Sequence, residues 1–230
     1  MKQLLTTGIV LSRTDYGEAD RIVTLLTPDQ GKLRLMARGV RKIKSRLAGG
    51  IELFSVSEIG FMNGRGEIGT LISARLIKHY GTIIQDIDRV QQGYALIKML
   101  HRATEDQPEP DYFELLRHGL AALDDRDIEL DLIGLWFQAQ LLRLAGHTPN
   151  LRTDTAEQSL AADQRYVFDF DSVAFAPREE GVCTAAHIKT LRLLFGNHSP
   201  QTLKQVQGTT QLLPDIAPLI TTMRSTYLRA

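Results

Sequence analysis

The spacing of apolar residues changes character near residue 80. Before that point the period is two. Leu5, Ile9 and Leu11 recur at even spacing in "LLTTGIVLS", and "DRIVTLLT" (20–27) follows the turn-like "DYGEA". "GKLRLMARG", "IELFSVSEIGF" (51–61) and "EIGTLISARLIK" (67–78) complete five β-rich runs separated by Gly-, Asp- or Pro-containing turns, the pattern of a small barrel or sandwich. From about residue 84 the period becomes helical. Ile87, Val90, Tyr94 and Ile97 are spaced as one face, and Phe113, Leu116, Leu120 and Leu123 as another, with "QPEPDYFE" as a break and restart between them. Residues 128–145 are apolar nearly all round, which predicts a central buried helix. "GHTPN" stops it, since Gly146 suits the C′ position and Pro149 lies just beyond. "RYVFDFDSVAF" reads as a short hairpin, and helical patterns resume at 184–195, 200–207 and 215–228. The expected architecture is multidomain α and β. A five-stranded domain occupies 1–80, and a mainly α-helical domain with a small hairpin occupies 81–230.

The third β run carries the chemistry. Side chains alternate across a strand, so Leu33, Leu35 and Ala37 face one way and Lys32, Arg34, Met36 and Arg38 the other. The loop "GVRKIKSR" then adds Arg41, Lys42, Lys44 and Arg46. These seven cations, with no acid among them, fill a fifteen-residue stretch that at this composition would hold about two. Residues 1–50 carry ten Lys/Arg against four Asp/Glu, and the remaining 180 carry seventeen against twenty-three. The net charge of zero is therefore a cancellation of two unlike parts, and the basic one points to a polyanionic partner. The run contains no aromatic residue, and the nearest are Tyr16, Phe54 and Phe61. It suits phosphates more than base readout.

Other chemistry finds less support. "GRGEIG" (Gly64, Gly66, Gly69) fits the dinucleotide pattern, but it lies between two strand-like runs and not before a helix, so a hairpin turn is expected and no cofactor. The acidic clusters "DYGEAD", "DDRDIELD" and "FDFDS" could share a metal or act as acid and base, yet each sits at a turn or helix start, where Asp caps backbone N–H groups. Cys183 is the only cysteine, which excludes an intramolecular disulfide and a cysteine-based zinc site. Cys183 and His187 alone are too few ligands for structural zinc. The most apolar stretch, 132–142, is too short to span a bilayer, and "MKQLLTTGIVLS" reads as a strand rather than a signal peptide. A cytosolic protein is the simplest expectation.

The stretch from "TTGIVLSRTDYGEADRIVTLLT" to "GKLRLMARGVRKIKSRLAGG" resembles the N-terminal domain of the RecO family, bacterial recombination mediators. The resemblance implies an N-terminal OB-fold and a helical C-terminal domain. It also implies binding of single- and double-stranded DNA, strand annealing, and, with RecR, help in loading RecA onto DNA coated by single-strand-binding protein. Bacterial cytoplasm, in association with the nucleoid, is the implied location. Many members carry a four-cysteine zinc site after a G-x-x-P-x-L element. Here "GHTPNL" is present but the cysteines are not, so the region about 146–187 is expected to be a degenerate, metal-free version held by packing.

The expected function is thus a non-enzymatic DNA-binding mediator of recombinational repair. Lys32, Arg34, Arg38, Arg41, Lys42, Lys44 and Arg46 would neutralise phosphates, with Arg13 and Arg21 contributing from neighbouring strands. Gly39, Gly49 and Gly50 would let the loop adapt to a flexible strand. A generic RNA-binding OB-fold protein is the alternative, and a metal-dependent nucleic-acid enzyme using the Asp clusters is a third class.

Overall fold

Five strands close into a barrel in the computed structural model of the protein, which describes residues 3–64, 66–106 and 109–228. They are β1 (Leu4–Tyr16), β2 (Asp20–Leu26), β3 (Lys32–Ala37), β4 (Ser55–Met62) and β5 (Ile68–His79). The order around the barrel is β1-β2-β3-β5-β4, and only the β3–β5 pairing is parallel. This is an OB-fold. Closure removes the unpaired edges that an open five-stranded sheet would present.

The interior is filled by Val10, Val23, Leu25, Leu35, Ala37, Ile59, Phe61 and Leu71, with Leu4 and Leu33 packed against them. β3 therefore has the two faces that its alternation predicts. β1 has a different phase. Leu4 and Val10 point inward, so Leu5 on the opposite phase is 64% exposed, whereas Ile9 and Leu11 are buried on the outer side. The run expected to begin a strand at Ile51 pairs only from Ser55. Residues Ala48–Gly50 form one turn of 3-10 helix, and Phe54 turns the chain with φ 56°. Gly50 is not an adaptable hinge. A Cβ there would clash with the Ala74 carbonyl group, so only glycine lets the turn sit against β5. Gly64 and Gly66 lie in the β4–β5 hairpin connection and Gly69 lies within β5, as expected of a turn; Arg65 is outside the described residues.

Two compact units divide the chain, Met1–Arg126 and Asp127–Ala230. The change from strand to helix falls near residue 80, but helices α1 (Ile87–Ala103) and α2 (Pro110–Asp124) belong with the barrel in the first unit. Gln107 and Pro108, within the expected helix break, lie outside the described residues. The α2 face is as predicted, with Phe113, Leu116, Leu120 and Leu123 buried. The α1 face is so only in part. Ile97 is buried as expected, but Ile87 and Tyr94 are 68% and 50% exposed, and Arg89, Gly93, Leu96 and Leu100 are buried with Ile97 instead. The reason is Arg89, whose guanidinium donates to the carbonyls of Leu123, Asp125 and Arg126 at 2.9–3.0 Å. The last carbonyls of a helix have no partner within it and carry partial negative charge, so a buried cation is stable there.

In the second unit α3 (Leu130–Leu144) is buried on nearly every side, and α4 (Ala185–Phe195), the short α5 (Pro200–Leu203) and α6 (Leu213–Tyr227) pack around it. Gly146, at φ +83°, ends α3. Its N–H donates to Arg143 and that of His147 to Leu142, which satisfies the final turn. Buried Gln140 donates to Leu194 and Gly196 at the end of α4, the same device as Arg89 with a neutral donor. Strands β6 (Tyr166–Asp169) and β7 (Ala174–Pro177) form the predicted hairpin. Tyr166, Phe168 and Phe175 pack edge to face, and Tyr166 exchanges backbone hydrogen bonds with Cys183. No helix among the described residues is long and apolar enough to cross a membrane.

Candidate nucleic-acid interface

The basic loop leaves the barrel at the end of β3 and is held in place by its own backbone. Val40, 3% exposed, inserts into the barrel core, and Leu47 packs against that core at the other end. Burying a side chain of this size contributes about 1.5–3 kcal/mol. Between these anchors Gly39 adopts φ +65°, and its N–H donates to the Asp20 carboxylate at 2.7 Å. The N–H of Arg41 donates to Ala19 at 2.9 Å and that of Ser45 to Lys42 at 2.9 Å. The loop is thereby tied to the β1–β2 turn. Two carboxylates of "DYGEAD" serve it: Asp20 through the Gly39 N–H, and Asp15, which accepts from Arg21 Nε at 2.7 Å and lies 3.6 Å from Arg41 Nε. The hydrogen bond from Arg21 above all, helped by the charge of Arg41, holds the Asp15 carboxyl below its ordinary range.

The structure sorts eight of the nine candidate cations into three groups. Arg38, Lys42, Lys44 and Arg46 are exposed and make no ion pair or side-chain hydrogen bond among the described residues. Arg34 and Arg41 are exposed and face Glu67 and Asp15 at 3.6 Å, contacts that an incoming phosphate can replace because exposed pairs contribute only about 0–1 kcal/mol. Arg13 and Arg21 are held in tighter pairs with Glu52 and Asp15 at 2.8 and 2.7 Å.

Lys32 stands apart from all of these. Its ammonium donates to the carbonyls of His101 and Thr104 at 2.9 and 2.6 Å, at the end of α1. Burial lowers its pKa, with Asp106 partly opposing. It is a helix cap at this position, as Arg89 is for α2. The alternation rule places Lys32 with Arg34 on the outer face of β3, but it says nothing of a helix end lying over that face.

Two exposed apolar side chains border the cations and carry no weight in a charge-based reading. Ile43 stands fully in solvent at the loop apex, between Lys42 and Lys44. Tyr16, 56% exposed, ends β1 next to Gly17, whose carbonyl accepts from Arg41 Nη1 at 3.3 Å. The sequence signal for Ile43 is an apolar residue inside a run of cations.

Three other acids are occupied locally. Asp124 accepts from the Thr82 N–H, Asp86 caps α1 through the N–H groups of Asp88 and Arg89, and Asp169 accepts from Asp171 and Ser172 in its own turn. Among the described residues no group of three or more His, Cys, Asp or Glu is placed to hold a metal ion. The family's zinc does not fit the region 146–187. Burial raises the pKa of the lone Cys183, and His187 is engaged with Thr184 at 2.8 Å and Asp215 at 3.2 Å.

Comparison with known proteins finds one family along the chain. Residues 1–80 match the family model described as recombination protein O N terminal, and residues 84–229 match the model described as recombination protein O C terminal. A DNA repair protein RecO of Dehalococcoides mccartyi is 32% identical over 179 residues, covering 77% of this chain and 67% of that protein. Those of Bacillus pumilus and Listeria innocua are 35% and 33% identical over 145 residues, covering 63% of this chain and 56% of each relative. The matched part thus spans little more than half the length of several relatives. With both models matched and the closed barrel carrying the basic loop, the chain belongs to the recombination protein O family.

Proposed function

We propose that the protein is a DNA-binding mediator of recombinational repair that binds and anneals strands and acts without catalysing bond cleavage. The observation that carries this reading is the set Arg38, Lys42, Lys44 and Arg46, which have no partner among the described residues, on a loop clamped to an OB-fold barrel. Cations without internal partners release counterions when they meet phosphate, and a surface that screens phosphate charge lets complementary strands approach. The same surface serves single and double strands, since both present phosphates. The relatives' printed name, DNA repair protein, favours DNA over RNA as the polyanion.

Further partners in this reading are RecR, single-strand-binding protein and, functionally, RecA. The acidic tail of single-strand-binding protein would meet basic residues of the helical part. Basic residues of that part include Arg102, Arg117 and Arg143; Arg102 is exposed, Arg117 is paired with Glu114 at 2.6 Å, and Arg143 donates to Gln140 at 2.9 Å, which leaves Arg102 the most available of the three. Binding of a labelled single strand and annealing of complementary strands, measured over a salt series, test the central reading. Tight binding at low salt that weakens steeply with salt is the expected result. No binding at low salt, or equal loss of the strand to metal-dependent cleavage, would overturn it.

A further inference from the structure

We propose that Tyr16 and Ile43 contact unpaired nucleobases, so that the barrel holds single strands through bases as well as phosphates and prefers them to duplex. The proposal rests on the DNA-binding reading and adds to it a base contact that a phosphate-only surface lacks.

The loop treats its apolar residues in opposite ways. Val40 is 3% exposed and Leu47 packs on the barrel, but Ile43 between them is 105% exposed. The hydrogen bonds of Gly39, Arg41, Lys42 and Ser45 hold the loop backbone on either side of it. Lys42 and Lys44 flank it, and neither is engaged elsewhere among the described residues. When these two meet the backbone of a strand, the side chain between them is brought to the bases of that strand. Tyr16 ends β1 at the β1–β2 turn, which the Arg41 backbone and guanidinium both join to the loop, at 2.9 and 3.3 Å. An exposed ring beside cations is the combination by which proteins stack bases of single strands, and an apolar side chain such as Ile wedges against unstacked ones. In a duplex the base faces are covered by their neighbours and reaching them costs unstacking, so both contacts favour an unpaired strand.

The test uses the full chain and three probes of equal length: a thymidine oligonucleotide, a strand of abasic phosphate units, and a duplex. Wild type should bind the thymidine strand about tenfold or more tightly than the abasic one, a gap set by base contacts. Tyr16→Ser and Ile43→Ser should each lower thymidine-strand affinity by about threefold or more without changing the salt slope, and together should erase the gap. Abasic and duplex affinities should stay within about twofold of wild type, and melting temperature should not move, since both side chains are exposed. The proposal is overturned if the double variant keeps the wild-type preference for bases. It is equally overturned if all three affinities fall together, which would make Ile43 a duplex wedge or a packing residue. A wild type that binds the thymidine and abasic strands equally, with a steep salt slope, sinks this proposal while leaving the DNA-binding reading in place. Failure to bind any probe at low salt sinks both.

Discussion

Lys32 and Lys42 belong to one acid-free run of seven cations, and their surroundings are opposite. Lys42 stands in solvent on the loop, without an internal partner among the described residues. Lys32 is half-buried, with its ammonium on two carbonyls at the end of α1 and its own N–H on Asp106 at 2.7 Å. One charge is available to a ligand and the other already serves the fold. The difference teaches that a basic run counts cations without showing which of them are free. Helix ends are where the others go, because a C-terminal turn offers several unpaired carbonyls to one donor. Arg89 is the extreme case, a buried cation held by three carbonyls at the end of α2 and beyond it.

The largest effect should come from removing the free charges. Replacing Arg38, Lys42, Lys44 and Arg46 together by alanine should flatten the single-strand salt slope by about 2.8 if each meets one phosphate, an affinity loss of several hundredfold at about 0.1 M salt. Chemical denaturation should show little loss of stability, and a wild-type slope in the folded variant would return the loop to mere solvated surface. Arg89→Met tests the opposite pole. It leaves three carbonyls without their donor and should cost about 2–4 kcal/mol in denaturant unfolding, with no change in the salt slope of DNA binding. Lys32→Met is the sharpest test of the comparison itself. Stability should fall by about 1–2 kcal/mol and the slope should stay at wild type; a slope change of about 0.7 would place Lys32 with the loop after all.

The smallest effect concerns pH. Burial, reinforced by the neighbouring charges of Lys32 and Arg117, lowers the pKa of His101 and of His118 below the ordinary 6.5. The unfolded chain therefore binds protons before the folded one as pH falls through 6.5, so stability present above that value is lost progressively below it. Denaturant unfolding at pH 7.5 and 5.5 should show this decline, and a His101→Gln, His118→Gln double variant should show less of it. An equal decline in the variant would assign the acid sensitivity to other groups.

Much of this was legible along the chain, for reasons that differ by element. Alternation placed Leu35 and Ala37 inside and Arg34 outside, because a strand of a closed barrel has one interior and one exterior face. Gly146 and Pro149 announced the end of α3 through backbone geometry that few other residues accept. Part of the α1 face was missed because Arg89 counts as polar in any periodic pattern, although its guanidinium is buried on carbonyls supplied by residues 123–126. The start of β4 was missed because "IELF" has the composition of a strand, while Ile51 is drawn into the barrel core and Phe54 turns with positive φ.

By itself, then, the sequence determined the five-strand and helical periods, the concentration of cations at 32–46 and the shortage of cysteine ligands, all of which are properties of neighbours along the chain. Only the tertiary structure decided which cations are free, where Ile43 points, and why Gly50 must be glycine. Each of those depends on what a distant segment brings to the residue: the end of α1 to Lys32, the β1–β2 turn to the loop, and the Ala74 backbone to Gly50. Hydrogen bonding and exclusion at contact distance are set by such through-space neighbours, which no local pattern encodes.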